Sequence, residues 1–68
     1  MTRSEALAEA RKRWGTMARI EKAVSSGNGH YLATFYRVGG GMAHHLAVFG
    51  EGKTWEAAFA DAERRRDA

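Results

Sequence analysis

The spacing of apolar and polar positions changes along the chain, and each spacing predicts one structural element. Leu7, Ala10 and Trp14 recur three and four positions apart, which is typical of one face of a helix. Thr2 precedes them and is followed three positions later by a glutamate, the spacing of a capping box. A glycine follows Trp14, as is common after the last residue of a helix. We therefore expect a first helix over residues 3–14.

Beyond that glycine the spacing of the apolar positions falls to two, which is typical of β-strands. Ala18, Ile20 and Val24 follow this spacing and predict a first strand. Two further runs rich in apolar and aromatic residues follow, separated by clusters of Ser, Asn and Gly that favour turns. The predicted order is a strand at 16–24, a turn at 25–29, a strand at 30–38, a glycine hairpin loop at 39–41 and a strand at 42–49.

A second helix is predicted after the glycine-containing segment 50–53, which we expect to end the third strand. Thr54 is a suitable N-cap, and the apolar residues that follow it lie at helical spacing, namely Trp55, Ala58, Phe59 and Ala62. The fold class is therefore α+β, in the order α-β-β-β-α. We expect one domain over residues 1–68, with a three-stranded antiparallel sheet and both helices packed on one face.

The second strand indicates which face of the sheet the helices leave bare. Arg37 shares one side of this strand with Tyr31 and Phe35, and a charge among apolar residues favours the side that points away from the helices. On the third strand neither side is polar, so both orientations stay open. An apolar face on a small protein often marks a partner site. We therefore predict partner binding through Tyr31, Phe35 and Arg37, with Arg19 on the adjacent strand.

Composition narrows the classes of function. The chain of 68 residues has no cysteine, which excludes disulfides and cysteine-ligated zinc. Its apolar runs are too short to span a membrane and its N-terminus is interrupted by charges, so we expect a cytoplasmic protein. The net charge of +3 is spread along the chain rather than concentrated. A nucleic-acid-binding role is therefore the alternative, and its candidate residues are Arg11, Lys12, Arg13, Lys53 and Arg64.

Two motifs resemble parts of a metal site and of a phosphate-binding loop, but neither motif is complete. His44 and His45 are neighbours on a predicted strand, so they point to opposite faces and cannot easily bind one metal ion. The Gly-Lys-Thr sequence at 52–54 resembles the end of a phosphate-binding loop, but Ala47 stands where that motif needs a glycine. No nucleophile, base and acid are grouped along the chain. We expect no catalytic residue, no metal and no cofactor. The alternative to a plain glycine turn at 52–54 is that Lys53 and the helix N-terminus hold one anion.

The predicted order resembles that of a double-stranded RNA-binding domain. The segment 27–30 is similar to that family's first hairpin loop, which contains glycine and histidine, and the glycines at 50 and 52 are similar to those before its last helix. The family's basic pair at the start of that helix is replaced here by Trp55 and Glu56. The resemblance therefore implies RNA contacts only at His30, Lys53 and Arg64.

A second resemblance is to small proteins encoded by bacteriophages and prophages. The phrases ARKRWG and GEGKTWEAAFADAERR are similar to the terminal helices of such proteins. Several of them are anti-defence inhibitors, including anti-CRISPR proteins, which cover a surface on a host complex. This resemblance implies a non-enzymatic inhibitor that docks on a host protein complex. A structural homodimer, formed through sheet faces or strand edges, is a further alternative.

Overall fold

A computed structural model of the chain describes residues 1–27, 31–42 and 45–67, and the side chains at positions 25–27, 31, 32, 42 and 45 lie outside that description. The described residues form, in order, α1 (Arg3–Trp14), β1 (Ala18–Gly27), β2 (Tyr31–Met42), β3 (His45–Gly52) and α2 (Trp55–Asp67). The strands pair antiparallel in the order β1-β2-β3. The predicted α+β class and element order are confirmed. Neither helix in the described part of the chain is long and apolar enough to cross a membrane.

Both helices begin at the threonines that the sequence predicts. Thr2 Oγ1 accepts a hydrogen bond from the Glu5 amide at 3.1 Å, and the Glu5 carboxylate accepts one from the Thr2 amide at 2.7 Å. Thr54 Oγ1 accepts from the Ala57 amide at 2.9 Å at the start of α2. At the end of α1, Gly15 has a φ of 85° and donates to the Arg11 carbonyl at 2.8 Å. These bonds satisfy backbone groups that a helix end leaves without partners.

The predicted hairpin loop at residues 39–41 is wrong, because these glycines lie inside β2. Gly39 pairs with Arg19 on one side and with Val48 on the other. A Cβ on Gly39 would overlap the Ala47 carbonyl oxygen, so no side chain fits there. β1 continues to Gly27 and β3 to Gly52, which corrects the predicted strand ends at 24 and 49. Residues 28–30 and 43–44 lie outside the described part of the chain.

The core lies between the helices and one face of the sheet. It is built largely from alanines, which let the backbones approach closely, with a few larger side chains between them. Tyr36 of β2 meets the Trp55 ring edge to face at 4.6 Å between centroids, and Trp14 stacks on Phe59 at 5.9 Å. The buried members of the core are Ala6, Ala10, Ala18, Val38, Trp55, Ala58, Phe59 and Ala62.

The segment that resembles a phosphate-binding loop is where α2 packs directly on β3. A Cβ on Gly50 would overlap the Ala58 carbonyl oxygen, and one on Gly52 would lie 2.6 Å from the Ala57 Cβ. The two glycines therefore leave room for the helix. The carboxylate of Asp61, only 6% exposed, accepts a hydrogen bond from the Glu51 amide at 3.0 Å and further fixes α2 against the strand. Close packing accounts for the glycines without a ligand.

β3 contains one irregularity that turns an aromatic ring towards the helices. Val38 pairs with Gly50 but its neighbour Gly39 pairs with Val48, so Phe49 has no partner on β2. Such a bulge lets an extra residue enter one strand. The Phe49 ring lies on the helix side, 5.4 Å from the Trp14 ring centroid, and remains 40% exposed.

Candidate binding surfaces

The sheet face opposite the helices, here called the outer face, is left bare by both of them. Val38 and Tyr36 point into the core, so their neighbours on β2, Phe35 and Arg37, point away from it. The predicted orientation of this strand is confirmed. On the third strand, where both orientations were open, the pairing places Leu46 and Val48 on the outer face. The other described side chains on this face are Arg19, Glu21, Ala23, Ala33 and Glu51.

A row of three charges crosses the outer face from strand to strand. Arg37 of β2 donates from Nε to Glu51 Oε2 of β3 at 2.7 Å and from Nη1 to Glu21 Oε1 of β1 at 3.3 Å. The hydrogen bond to Glu51, more than any other contact, raises the pKa of Arg37. This charged row (Glu21, Arg37 and Glu51) fixes the guanidinium in place. Arg37 is therefore held by the protein itself and presents only its remaining donors to a partner.

The four residues predicted to bind a partner do not form one cluster. Phe35 is half-buried on the outer face and pairs with Ala23, whereas Arg19 pairs with Gly39, on the far side of the charged row. Four strand positions separate Arg19 from Ala23, a distance of about 13 Å. The backbone of Tyr31 belongs to β2, but its side chain lies outside the description. The structure thus places Phe35 and Arg19 on opposite sides of Arg37.

The five residues of the nucleic-acid alternative point in different directions. Arg13 donates to Glu9 at 2.9 Å and to Glu63 of α2 at 3.2 Å, and Arg64 pairs with Asp61. Lys12 lies beside Glu5, Glu9 and Glu56 in a separate pocket. Lys53 is exposed before α2, and Arg11 lies against β1. The structure does not bring these five cations together on one surface.

A groove between α1 and the beginning of β1 collects arginines that the sequence did not group. Arg3, Leu7 and Arg11 follow one another at four-residue steps along α1, and Arg19 completes the set from β1. We call this the basic groove; it has a volume of 410 Å³ and is lined by Arg3, Leu7, Arg11, Thr16, Met17, Ala18, Arg19 and Ile20. The four-residue spacing in α1 is a signal that the sequence contains. The approach of Arg19 depends on how α1 packs on β1, which the sequence alone does not define.

A second, larger groove follows the other edge of the sheet. It has a volume of 760 Å³ and lies between the ends of both helices and β3. Trp14 and Phe49 provide its apolar wall, while Arg13 and Arg65 at its rim are paired with Glu63 and with Asp61. Its charges are therefore balanced within the protein, in contrast to those of the basic groove.

Groups suited to metal binding do not cluster among the described residues. No set of three His, Cys, Asp or Glu side chains lies close enough there to hold a metal ion. His30 and His44 lie outside the described residues, as does the side chain of His45. The hydrogen bond from the Glu51 amide, followed by Arg64 and Arg65, lowers the pKa of Asp61. The hydrogen bond to the Glu51 amide holds α2 against β3, so a role in the stability of the fold explains the buried carboxylate of Asp61.

Comparison of this chain with protein-family models, with curated proteins and with solved structures finds no match.

Proposed function

We propose that this protein is a non-enzymatic binding module that docks on another protein through its outer face. The observation that carries the proposal is the position of both helices on one side of a three-stranded sheet. The opposite side of the same strands carries apolar residues that no other element of the described chain covers. A sheet face of this kind gains free energy when a partner removes it from water.

The distribution of residues on the outer face suits a protein partner. Phe35 lies on one side of the charged row, and Leu46 and Val48 lie on the other, with Val48 40% exposed. Apolar side chains on both sides of the charged row can together supply the apolar area that most protein interfaces contain. The charged row adds oriented polar groups whose geometry is already fixed, so little entropy is lost when they meet a partner.

The resemblance to phage-encoded inhibitors supplies the class of partner. It supports a host protein complex, of the type that anti-CRISPR proteins inhibit, as the target. Inhibition of this kind needs only a surface that covers a functional site on the target. An inhibitor that acts in this way needs affinity for its target but no catalytic residues, because it blocks the site simply by covering it.

The proposal is tested by comparing how much of a partner is captured by the wild type and by variants of this protein with a substituted outer face. Val48→Glu places a charge on the outer face, and Ala60→Glu places the same charge on the exposed side of α2. Affinity-tagged wild type and Ala60→Glu are expected to retain the same stoichiometric protein from a lysate of host cells, and Val48→Glu to lose it. Equal retention by all three chains would contradict docking through the outer face.

The outer face could instead be covered by a second copy of this protein. Light scattering of the purified protein tests this alternative. A monomeric mass at high concentration is expected, because the proposal reserves the outer face for a different protein. A stable dimer that Val48→Glu dissociates would instead assign the outer face to a homodimer.

A further inference from the structure

The arginines divide into two groups according to their ion pairs. Five of the eight have a carboxylate partner in the structure: Arg13, Arg37, Arg64, Arg65 and Arg66. Among the described residues, Arg3, Arg11 and Arg19 form no ion pair with an acidic side chain. These three all line the basic groove, whose described lining includes no acidic residue. The arginines without an ion pair are thus concentrated in one place.

Stability of the fold accounts for only one of these three arginines. Arg3 lies in the first turn of α1, where a positive charge opposes the helix dipole. Arg11 lies two turns further along the same face, so the two like charges flank Leu7 without a carboxylate between them. Arg19 reaches across the sheet, and its Nε would lie 2.8 Å from a Cβ on Gly41. Arg11 lies in the last turn of α1 and complements the helix dipole, whereas Arg3 and Arg19 gain no such stabilisation. All three positive charges favour an anion in the groove.

The walls of the groove indicate which kind of anion fits. Leu7 and Ile20 are half-buried, and Met17 at the rim is 65% exposed, so an aliphatic surface lies between the arginines. No aromatic ring lines the groove in the described residues, and stacking of nucleic-acid bases therefore has no platform there. Guanidinium groups bind carboxylates through paired hydrogen bonds, and aliphatic side chains suit the apolar residues of a peptide.

The position of the groove beside an edge strand indicates the shape of the ligand. β1 pairs only with β2, so the other edge of β1 has no strand beside it in the described sheet. An extended peptide can pair with such an edge through its backbone while its side chains enter a neighbouring groove.

In the part of the chain that the structure describes, the positively charged surface does not continue beyond the groove. Lys22 lies over the Tyr36 ring, and Lys12 lies beside carboxylates in another pocket. A binding path for a nucleic-acid backbone would need positive side chains over a longer stretch of the surface than this groove provides.

From these observations we propose that the basic groove binds an extended segment of a protein partner that presents acidic and aliphatic residues on the same face. Arg3, Arg11 and Arg19 bind its carboxylates, and Leu7, Met17 and Ile20 contact its aliphatic side chains. The inference rests on the proposed function, because it assigns this segment to the protein that docks on the outer face. Arg19 belongs to both surfaces and connects them.

The test uses two peptides and two matched variants. The probes are an octapeptide with the repeat Glu-Glu-Val-Val, which places both residue types on each face of an extended chain, and a control octapeptide with the repeat Gln-Gln-Val-Val. One variant removes the groove charges (Arg3→Ala, Arg11→Ala and Arg19→Ala), and the control variant removes three exposed charges elsewhere (Lys12→Ala, Lys53→Ala and Arg66→Ala). Both variants lower the net charge from +3 to 0, since each loses three positive side chains. Amide spectra of the labelled proteins report both folding and binding.

In the wild type and the control variant, the acidic peptide is expected to shift the amides of residues 3–11 and 16–20. The groove variant is expected to bind about tenfold or more weakly, and the single variant Arg11→Ala to show an intermediate loss. The Gln-Val peptide is expected to bind at least about tenfold more weakly than the acidic one. Absence of binding by the acidic peptide, or equal binding by both variants, would overturn the inference.

Two further results separate this inference from its alternatives. A 20-base-pair duplex RNA or DNA that shifts the same amides, with an affinity that falls steeply with salt, would overturn it in favour of a nucleic-acid site. In the capture experiment, retention of the partner by the groove variant would overturn the groove assignment and leave docking through the outer face intact. Loss of the partner by Val48→Glu, together with weakened capture by the groove variant, supports both.

Discussion

Arg37 and Glu51 face each other across β2 and β3, with 2.7 Å between Nε of the arginine and Oε2 of the glutamate. Glu21 lies at the other side of the same guanidinium. This arrangement fixes the only charged side chains at the centre of the described outer face. It also means that a docking partner meets a rigid polar group rather than a mobile one.

Substitution of Arg37 is expected to affect binding more than folding. All three members of the charged row are partly exposed, and solvent screening leaves exposed ion pairs with little effect on stability. Arg37→Ala should therefore leave the melting temperature almost unchanged while it weakens partner binding about tenfold or more. Arg66→Ala, which removes an exposed arginine at the end of α2, provides the control and should bind normally. A large drop in melting temperature with unchanged binding would show that the row serves the fold.

Substitution of Gly50 is expected to destabilise the fold strongly. A methyl group there would overlap the Ala58 carbonyl oxygen, so Gly50→Ala requires α2 to move away from β3. We expect a loss of about 3 kcal/mol in the free energy of unfolding, measured by urea denaturation. A domain of this size has only about 3–5 kcal/mol in total, so the variant should be largely unfolded on modest heating.

The matched substitution for Gly50→Ala is Gly41→Ala in the same sheet. A methyl group on Gly41 meets chiefly the Arg19 side chain, whose Nε lies 2.8 Å away and can move aside. We expect a loss below about 1 kcal/mol. Equal losses in the two variants would mean that the close approach of α2 to β3 does not determine stability.

Asp61 is expected to make stability depend on pH. Its carboxylate accepts a hydrogen bond from the Glu51 amide and lies next to Arg64 and Arg65, and these contacts hold its pKa below the ordinary value of 3.8. Because the folded pKa is the lower one, the stabilising contribution is complete above a pH of about 5. It is lost as the pH falls through 3.8 towards the folded value.

The variant Asp61→Asn should therefore be less stable than the wild type at neutral pH, and the gap should narrow as the pH falls to about 3. Urea denaturation at several pH values measures this gap. Asp67→Asn, at the exposed end of α2, removes a carboxylate without a backbone bond to the strand and should show little gap. A gap for Asp61→Asn that does not change with pH would contradict the assigned role of its carboxylate.

The elements that depend on local sequence could be predicted from it. The start of α1 at Thr2 and that of α2 after Thr54 follow from capping residues and helical spacing, which act within a few positions. The orientation of β2 follows from Arg37, because a single charge on one side of an apolar strand is costly to bury. These features needed no knowledge of distant contacts.

The features that depend on distant contacts could not be predicted in the same way. Residues 39–41 have the composition of a loop, yet they lie inside β2. The Ala47 carbonyl and the Phe49 ring occupy the space that side chains at Gly39 and Gly40 would need. The basic groove depends on the packing of α1 against β1, because Arg19 lines the groove from β1 and Arg3 and Arg11 line it from α1. In both cases tertiary packing determines the outcome, and local propensity does not.

Photo-cross-linking from the outer face shows whether the captured partner contacts that face of the sheet. A photoreactive phenylalanine analogue is placed at Val48, on the outer face, and in a second chain at Ala60, on the exposed side of α2. The account predicts a cross-linked partner from position 48 and none from position 60. Cross-linking from position 60 alone would show that the partner lies against the helices, and would contradict docking through the outer face.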